Sequence, residues 1–210
     1  MKVLGLLGLF AFCAFSGGIP RPAVDLAAAP GETRAEAVLA GGCYWGMQAV
    51  FEKVRGVISV TAGYAGAAAD PKTGKVPKDG GKGHAEAVRI VYDPGRVSYG
   101  VLLEVFFAVA HDPTEVNRQG PDIGSEYRSA IFYQSDAQKR VAESYIRQID
   151  AAKSFPFSIV TQMTPFAAFY PVGEDQQDYV WHNPGAEYVV KNDLPKLAKL
   201  RMVFPDLFEY

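Results

Sequence analysis

Cysteine is scarce in this sequence: 210 residues hold two, Cys13 and Cys43. A scaffold stapled by several disulfides is therefore excluded, and any thiol chemistry falls on one or both of these sulfurs. An excess of either charge is also missing. Twenty-one Lys and Arg against 23 Asp and Glu leave a net charge of −2, with the basic residues scattered among the acidic ones. No basic field for nucleic acid exists, so nucleic acid is not an expected partner. Internal repeats are absent as well. The longest apolar run, Val3 to Phe15, is too short to span a bilayer comfortably.

That run follows one positive residue, Lys2, and ends in the small residues Ala14 and Ser16. This is the layout of a secretory leader, residues 1–16, with cleavage after Ser16. An exported protein, periplasmic or secreted, is expected, with no stable membrane insertion once the leader is gone. A retained anchor is the competing reading. Cleavage would remove Cys13 and leave Cys43 as the one thiol. Residues 17–34, rich in Pro, Ala and Gly, read as a linker. With 49% apolar residues, residues 35–210 are long enough to form a single catalytic domain with its own core.

The periodicity within that stretch changes in an orderly way. Residues 36–42 fit a short strand. Met47, Val50, Phe51 and Val54 share one face of a helix over 44–54, and Gly56 supplies a stop. Residues 57–64 and 84–92 read as strands around a Gly- and Pro-rich loop at 65–83. Ser98 caps a helix carrying Leu102, Val105, Phe106 and Val109 on one side. A strand at 128–133 follows, then a helix from Ser135, with Gln138 completing a capping box, to Ala151. A last strand is expected at 157–163, then an irregular tail with short helices near 174–181 and 194–201. The order β-α-β-β-α-β predicts an α+β fold, a ferredoxin-like split two-layer sandwich with a long irregular C-terminal tail.

Cys43 falls where the first strand turns into the first helix, in AGGCYWGMQAVF, with Gly41 and Gly42 easing the turn. The free N–H groups and positive end of that helix are expected to favour a thiolate. Tyr44 and Trp45 can form an apolar cage for a small alkyl group, or simply belong to the core. In GHAEAV, alternation places Glu86 on the same face as Val88 and Ile90. A carboxyl there resists ionisation and becomes a candidate proton donor; the plainer reading is a solvated glutamate at a strand end.

Other chemistries fail on spacing. Gly81-Lys82-Gly83 lacks the hydroxyl residue and upstream glycine of a phosphate-binding loop, since position 76 is Val. His84-Ala-Glu86 has the H-x-E of zinc deaminases without the later C-x-x-C, so no metal is expected. His111 and His182 read as satisfied polar residues.

Five segments, GGCYWG, GHAEAVRIVYDP, VSYGVLL, HDPTEVNRQGPDIGSEYRSAIFY and the late NP at 183–184, together resemble the class A peptide methionine sulfoxide reductases, from about residue 36 to the end. The resemblance implies reduction of methionine S-sulfoxide, free or in oxidised proteins, with no bound cofactor. It makes Cys43 the nucleophile toward the sulfoxide sulfur and Glu86 the acid toward its oxygen. Tyr127 falls on a tyrosine that hydrogen-bonds that oxygen, Asp122 on an aspartate that helps bind substrate, and Tyr44 and Trp45 on the pair cradling the methyl group. The acid makes chemical sense, because a sulfoxide oxygen leaves poorly until protonated.

The sequence departs from the family in four places. Gly74 stands where members carry a second loop tyrosine, so one donor to the oxygen is missing and slower turnover or a shifted substrate preference is expected. Gln48 replaces a glutamate, and Gln176-Gln177 replaces a His-Gln pair. Pro184 to Tyr210 lacks the resolving cysteines of many members. Cys43 would then finish a turnover as a sulfenic acid, and an external thiol, thioredoxin-like, glutaredoxin-like or small, would have to reduce it. Two rivals stand beside this reading. One is a cysteine hydrolase pairing Cys43 with His84 or His111; the other is a weakly active or non-catalytic module that binds methionine side chains.

Overall fold

The computed structural model describes residues 15–16, 18–66 and 83–210. The segment expected as a leader, with Cys13, apart from Phe15 and Ser16, and most of the loop carrying Gly74 lie outside the described residues.

A six-stranded sheet forms the frame: β1 (Ala35–Ala40), β2 (Val57–Ala65), β3 (Ala85–Tyr92), β4 (Ala130–Tyr133), β5 (Gln162–Pro165) and β6 (Phe169–Pro171), in spatial order β6-β2-β3-β1-β4-β5. All neighbours are antiparallel except β4 and β5. The central four strands, β2-β3-β1-β4, have the expected split β-α-β order and the fold is α+β. The helices α1 (Tyr44–Glu52), α2 (Tyr99–Val105) and α3 (Asp136–Ala151) fill the crossovers. Two tail helices, α4 (Tyr179–His182) and α5 (Leu194–Val203), complete the chain.

The main core lies between sheet and helices. Met47, Val50, Phe51 and Val54 are fully buried there, as their spacing requires, against Leu39, Val88, Ile90 and Ile131. On the other face of the sheet, Val38, Ala40, Ala65, Ala85, Ala87, Ala130 and Phe132 form a second cluster under Phe166 and Phe169. The alanines let the tail cross close to the strands.

Several boundaries differ from the sequence expectation. α1 stops at Glu52 because the backbone of residues 53–55 turns to the chain's end: Arg55 N–H donates to Leu207 O at 2.7 Å and Glu209 N–H to Lys53 O at 2.8 Å. Ser135 caps α3 by accepting from Gln138 N–H at 3.1 Å, yet Gln138 Oε1 reaches one residue further back, to Gln134 N–H at 2.8 Å. The strand expected at 157–163 begins only at Gln162, because Ile159 N–H donates to Asp150 Oδ1 and Val160 N–H to Pro113 O instead of to a strand. β6 falls in the tail that was expected to be irregular; Pro171 is tolerated at an outer strand.

Part of the stretch expected as a linker is docked. Ile19 is buried in the main core, Tyr145 Oη donates to Pro20 O at 2.8 Å, and Gln148 Nε2 donates to Arg21 O at 2.7 Å. Asp25 accepts from Gly100 N–H at 2.7 Å and from Ser98 Oγ at 2.5 Å, bracing the start of α2.

Candidate active site

Cys43 is the N-cap of α1, reached through Gly42 at φ +89°. A side chain at Gly42 would strain this backbone and would also overlap Gln119, whose Cγ lies 2.5 Å from the position of an added Cβ. The Cys43 residue is 7% exposed. Burial pushes its thiol above the ordinary range, the nearby Glu86 adds to this, and the Trp45 backbone hydrogen bond only partly opposes it. The expected resting thiolate is thus corrected: removal from water outweighs the helix start, and the sulfur rests as a neutral thiol.

Glu86 comes from β3, opposite Tyr64 of β2. Alternation turns it toward the helix layer, and its Oε2 accepts the backbone N–H of Tyr44, the first residue of α1, at 3.0 Å. Burial pushes the carboxyl up to about 7; the Tyr44 N–H pulls it down, Asp122 and Glu126 push it up, and a hydrogen bond with Cys43 pulls it down slightly. A carboxyl that still holds its proton near neutrality lies within hydrogen-bond reach of the thiol, as the sequence led one to expect.

Around this pair stands an aromatic wall. Tyr44 meets Tyr64 edge-on, with centroids 6.0 Å apart. Trp45 stacks on Tyr179 of α4 at 3.7 Å and 9°, and Tyr188 stands edge-on to it at 5.7 Å. Gln176 Oε1 accepts from both Trp45 Nε1, at 3.2 Å, and Tyr44 Oη, at 3.4 Å. Gln48, buried beneath, donates to Gln177 Oε1 at 3.1 Å and Asp178 Oδ1 at 3.2 Å and accepts from Asp178 N–H at 2.9 Å. At these two departures from the family, Gln176 and the Gln48–Gln177–Asp178 group thus join α1 to the tail by separate hydrogen bonds.

A cavity of about 210 Å³ opens at Cys43 between Gln119 to Asp122 on one side and Tyr188, Lys191, Asn192 and Lys196 on the other. Asp122 lines it and accepts the hydroxyl of Tyr188. Tyr127, in a short turn at Ser125–Tyr127, is raised in pKa by burial and then by Glu86, Asp122 and Cys43, which places it among these groups. All six residues picked from the sequence, Cys43, Tyr44, Trp45, Glu86, Asp122 and Tyr127, therefore gather here. Tyr179, Tyr188, Asp193 and Lys196 were missed, and Gln176 was noted only as a departure from the family. They come from a tail whose aromatics follow no period, so only Gln176-Gln177 and the Asn-Pro at 183–184 hinted at it.

Neither histidine of the hydrolase reading is a base toward Cys43 by its contacts. His111 is spent structurally: Nδ1 contacts Phe106 O at 3.0 Å, Nε2 contacts Ser129 Oγ at 2.7 Å, and burial pulls its pKa down to about 3. His84 is buried with neither ring nitrogen bonded among the described residues, and stands edge-on to Tyr170.

The family profile described as "Peptide methionine sulfoxide reductase" matches residues 35–206. The chain is 49% identical to a peptide methionine sulfoxide reductase MsrA 2 of Mesorhizobium japonicum over 88% of this chain and 94% of the relative. It is 47% identical to a peptide methionine sulfoxide reductase MsrA 2 of Synechocystis over 95% and 94%. Among solved structures, Mxr1 from Saccharomyces cerevisiae in reduced form superposes with a TM-score of 0.62 at 30% identity, covering 73% of this chain and 88% of that one. Methionine sulfoxide reductase A of Corynebacterium diphtheriae gives 0.58 at 31%, covering 79% and 82%. By the extent of these matches, the chain belongs to the peptide methionine sulfoxide reductase family and is an oxidoreductase.

Proposed function

We propose that this protein reduces methionine S-sulfoxide, free or in oxidised proteins, by attack of the Cys43 sulfur on the sulfoxide sulfur. The observation that carries the mechanism is the buried, proton-holding Glu86 facing Cys43 and fixed by the Tyr44 N–H. Glu86 gives its proton to the sulfoxide oxygen and takes the thiol proton as the Cys43 sulfur attacks. The oxygen then passes to Cys43 as a sulfenic acid and the thioether leaves as methionine. Two electrons move from Cys43 to the substrate, and no net proton is lost. In this proposal Tyr127 and Asp122 hold the oxygen and the peptide, and Tyr44 and Trp45 receive the methyl group.

With Cys13 in the leader and no cysteine after residue 43, the sulfenic acid is returned to thiol by an external donor, thioredoxin-like, glutaredoxin-like or a small thiol. No bound cofactor takes part. Export is part of the same proposal and rests on the leader; N-terminal sequencing of protein recovered outside the cytoplasm should begin at Gly17.

The deciding experiment is a single turnover without reductant, using each sulfoxide epimer separately. The S epimer should give one sulfide per protein and one added oxygen on Cys43 by mass spectrometry; with dithiothreitol present, thiol consumption should match sulfide formed. Sulfide without thiol consumption, or none from either epimer, would overturn the proposal.

A further inference from the structure

One buried acid beside Cys43 has no part in the mechanism above. Asp193, at the end of a wide turn over Val189–Asp193 that leads into α5, is 0% exposed, and neither carboxylate oxygen has a hydrogen-bond partner among the described residues. Its ion-pair partner among the described residues is Lys196, with Nζ 3.8 Å from Oδ1. Both side chains press on the first turn of α1 at Gly46. A Cβ added there would lie 2.2 Å from Asp193 Oδ1 and 2.9 Å from Lys196 Nζ. The absence of a side chain three residues after Cys43 is what admits the pair. Lys196 lines the same cavity as Cys43 and its side chain is only 18% exposed, so water screens it less than a surface lysine.

A carboxylate out of water without hydrogen bonds is costly, and a pair spaced this loosely does not recover that cost by stability alone. We propose that Asp193 and Lys196 are positioning residues for the Cys43 sulfur, setting with opposite signs how readily its thiol ionises for attack. This rests on the reading of Cys43 as nucleophile. The carboxylate keeps the resting thiol neutral, and the ammonium meets the negative charge as it develops on sulfur. Burial pushes Asp193 itself up to about 6, so near neutrality the carboxylate is charged and both influences are present. Among the described residues, the other titratable groups around the sulfur are Glu86 from β3, Tyr44 from α1, Tyr127 from its turn, Tyr188 and Lys191 from the tail, and Asp122 across the cavity.

The test reads thiolate directly and needs no sulfoxide: the second-order rate of Cys43 alkylation by iodoacetamide at pH 9, on the reduced full chain. Asp193→Asn should react roughly three- to tenfold faster than wild type and Lys196→Met slower by a similar factor, since alkylation follows the thiolate fraction. Lys196→Arg should stay within about twofold of wild type, because it keeps the charge. Lys196→Met leaves Asp193 unpaired and can unfold, so the neutral double variant Asp193→Asn with Lys196→Met is measured too; it should fall between the single variants. Shifts of the same sign in Asp193→Asn and Lys196→Met, or in the unfolding case a double variant slower than wild type with Asp193→Asn unchanged, would overturn the proposal. Because alkylation is independent of sulfoxide, a protein with opposite shifts but no sulfoxide turnover would refute the proposed function and leave this inference intact.

Discussion

The backbone N–H of Tyr44 donates to Glu86 Oε2 at 3.0 Å. One hydrogen bond thus ties the start of the helix that carries the nucleophile to the strand that carries the acid. Any substitution that moves α1 relative to β3 changes the distance across which the proton travels.

Glu86→Gln keeps that hydrogen bond through its amide oxygen and removes the transferable proton. We expect kcat/KM for sulfoxide reduction to fall roughly 10²- to 10⁴-fold, with the fold retained. In wild type, activity should decline as pH rises through about 7, where Glu86 ionises. Stability carries the same sign. A carboxyl raised in the folded state stabilises at low pH, and that contribution is lost as pH rises toward and through about 7. At pH 8 the inactive Gln variant should therefore unfold at a higher temperature than wild type, a comparison that a thermal melt at pH 5 and pH 8 decides.

Gln176 holds Trp45 Nε1 and Tyr44 Oη with one oxygen. Gln176→Ala should raise KM for a methionine sulfoxide peptide by roughly fivefold, the equivalent of about one hydrogen bond, while alkylation of Cys43 stays near the wild-type rate. Steady-state kinetics beside an alkylation assay separates the two; a KM within error of wild type would remove Gln176 from substrate binding.

Gln48 lies against the side-chain oxygens of Gln177 and Asp178. A carboxylate in its place would keep the Asp178 N–H on one oxygen and set the other against the acceptors Gln177 Oε1, Asp178 Oδ1 and Val60 O with no proton to give. Gln48→Glu should lose about 1–3 kcal/mol of stability at pH 8, and less at pH 5, since a buried carboxyl facing Asp178 binds its proton more tightly folded than unfolded. Urea unfolding at the two pH values measures both.

His111 is buried neutral, with both ring nitrogens occupied. A histidine whose folded pKa is depressed stabilises above its unfolded value, about 6.5, and that stability drains away as pH falls toward about 3. His111→Gln should be less stable at pH 7 and show a shallower acid slope. Its kcat per folded molecule should match wild type; a hydrolase built on this ring would instead lose its base.

What the sequence made legible follows from local physics. Cys43 at a strand-to-helix turn and Glu86 on an apolar strand face could be placed because periods of 3.6 and 2 fix which way a side chain points. The reversed thiol prediction has an equally physical cause. The positive end of a nine-residue helix is a local property and readable, whereas the burial that outweighs it comes from Gln119, Tyr188 and α5, brought in from 76 to more than 150 residues away along the chain. The tail was illegible for the same reason. Its Tyr179, Tyr188 and Gln176 gain meaning against Trp45, Tyr44 and Asp122, and β6 and the docked Ile19 are set by surfaces that exist once the sheet has formed.

The stack of Trp45 on Tyr179 has a practical corollary. The wall that would tell a thioether oxide from a passing oxidant is assembled from opposite ends of the polypeptide, and the same tail roofs the reactive atom. A protease nick in the last forty or so residues would therefore yield a blunted enzyme, still open to alkylators and peroxide but poor at choosing its proper target.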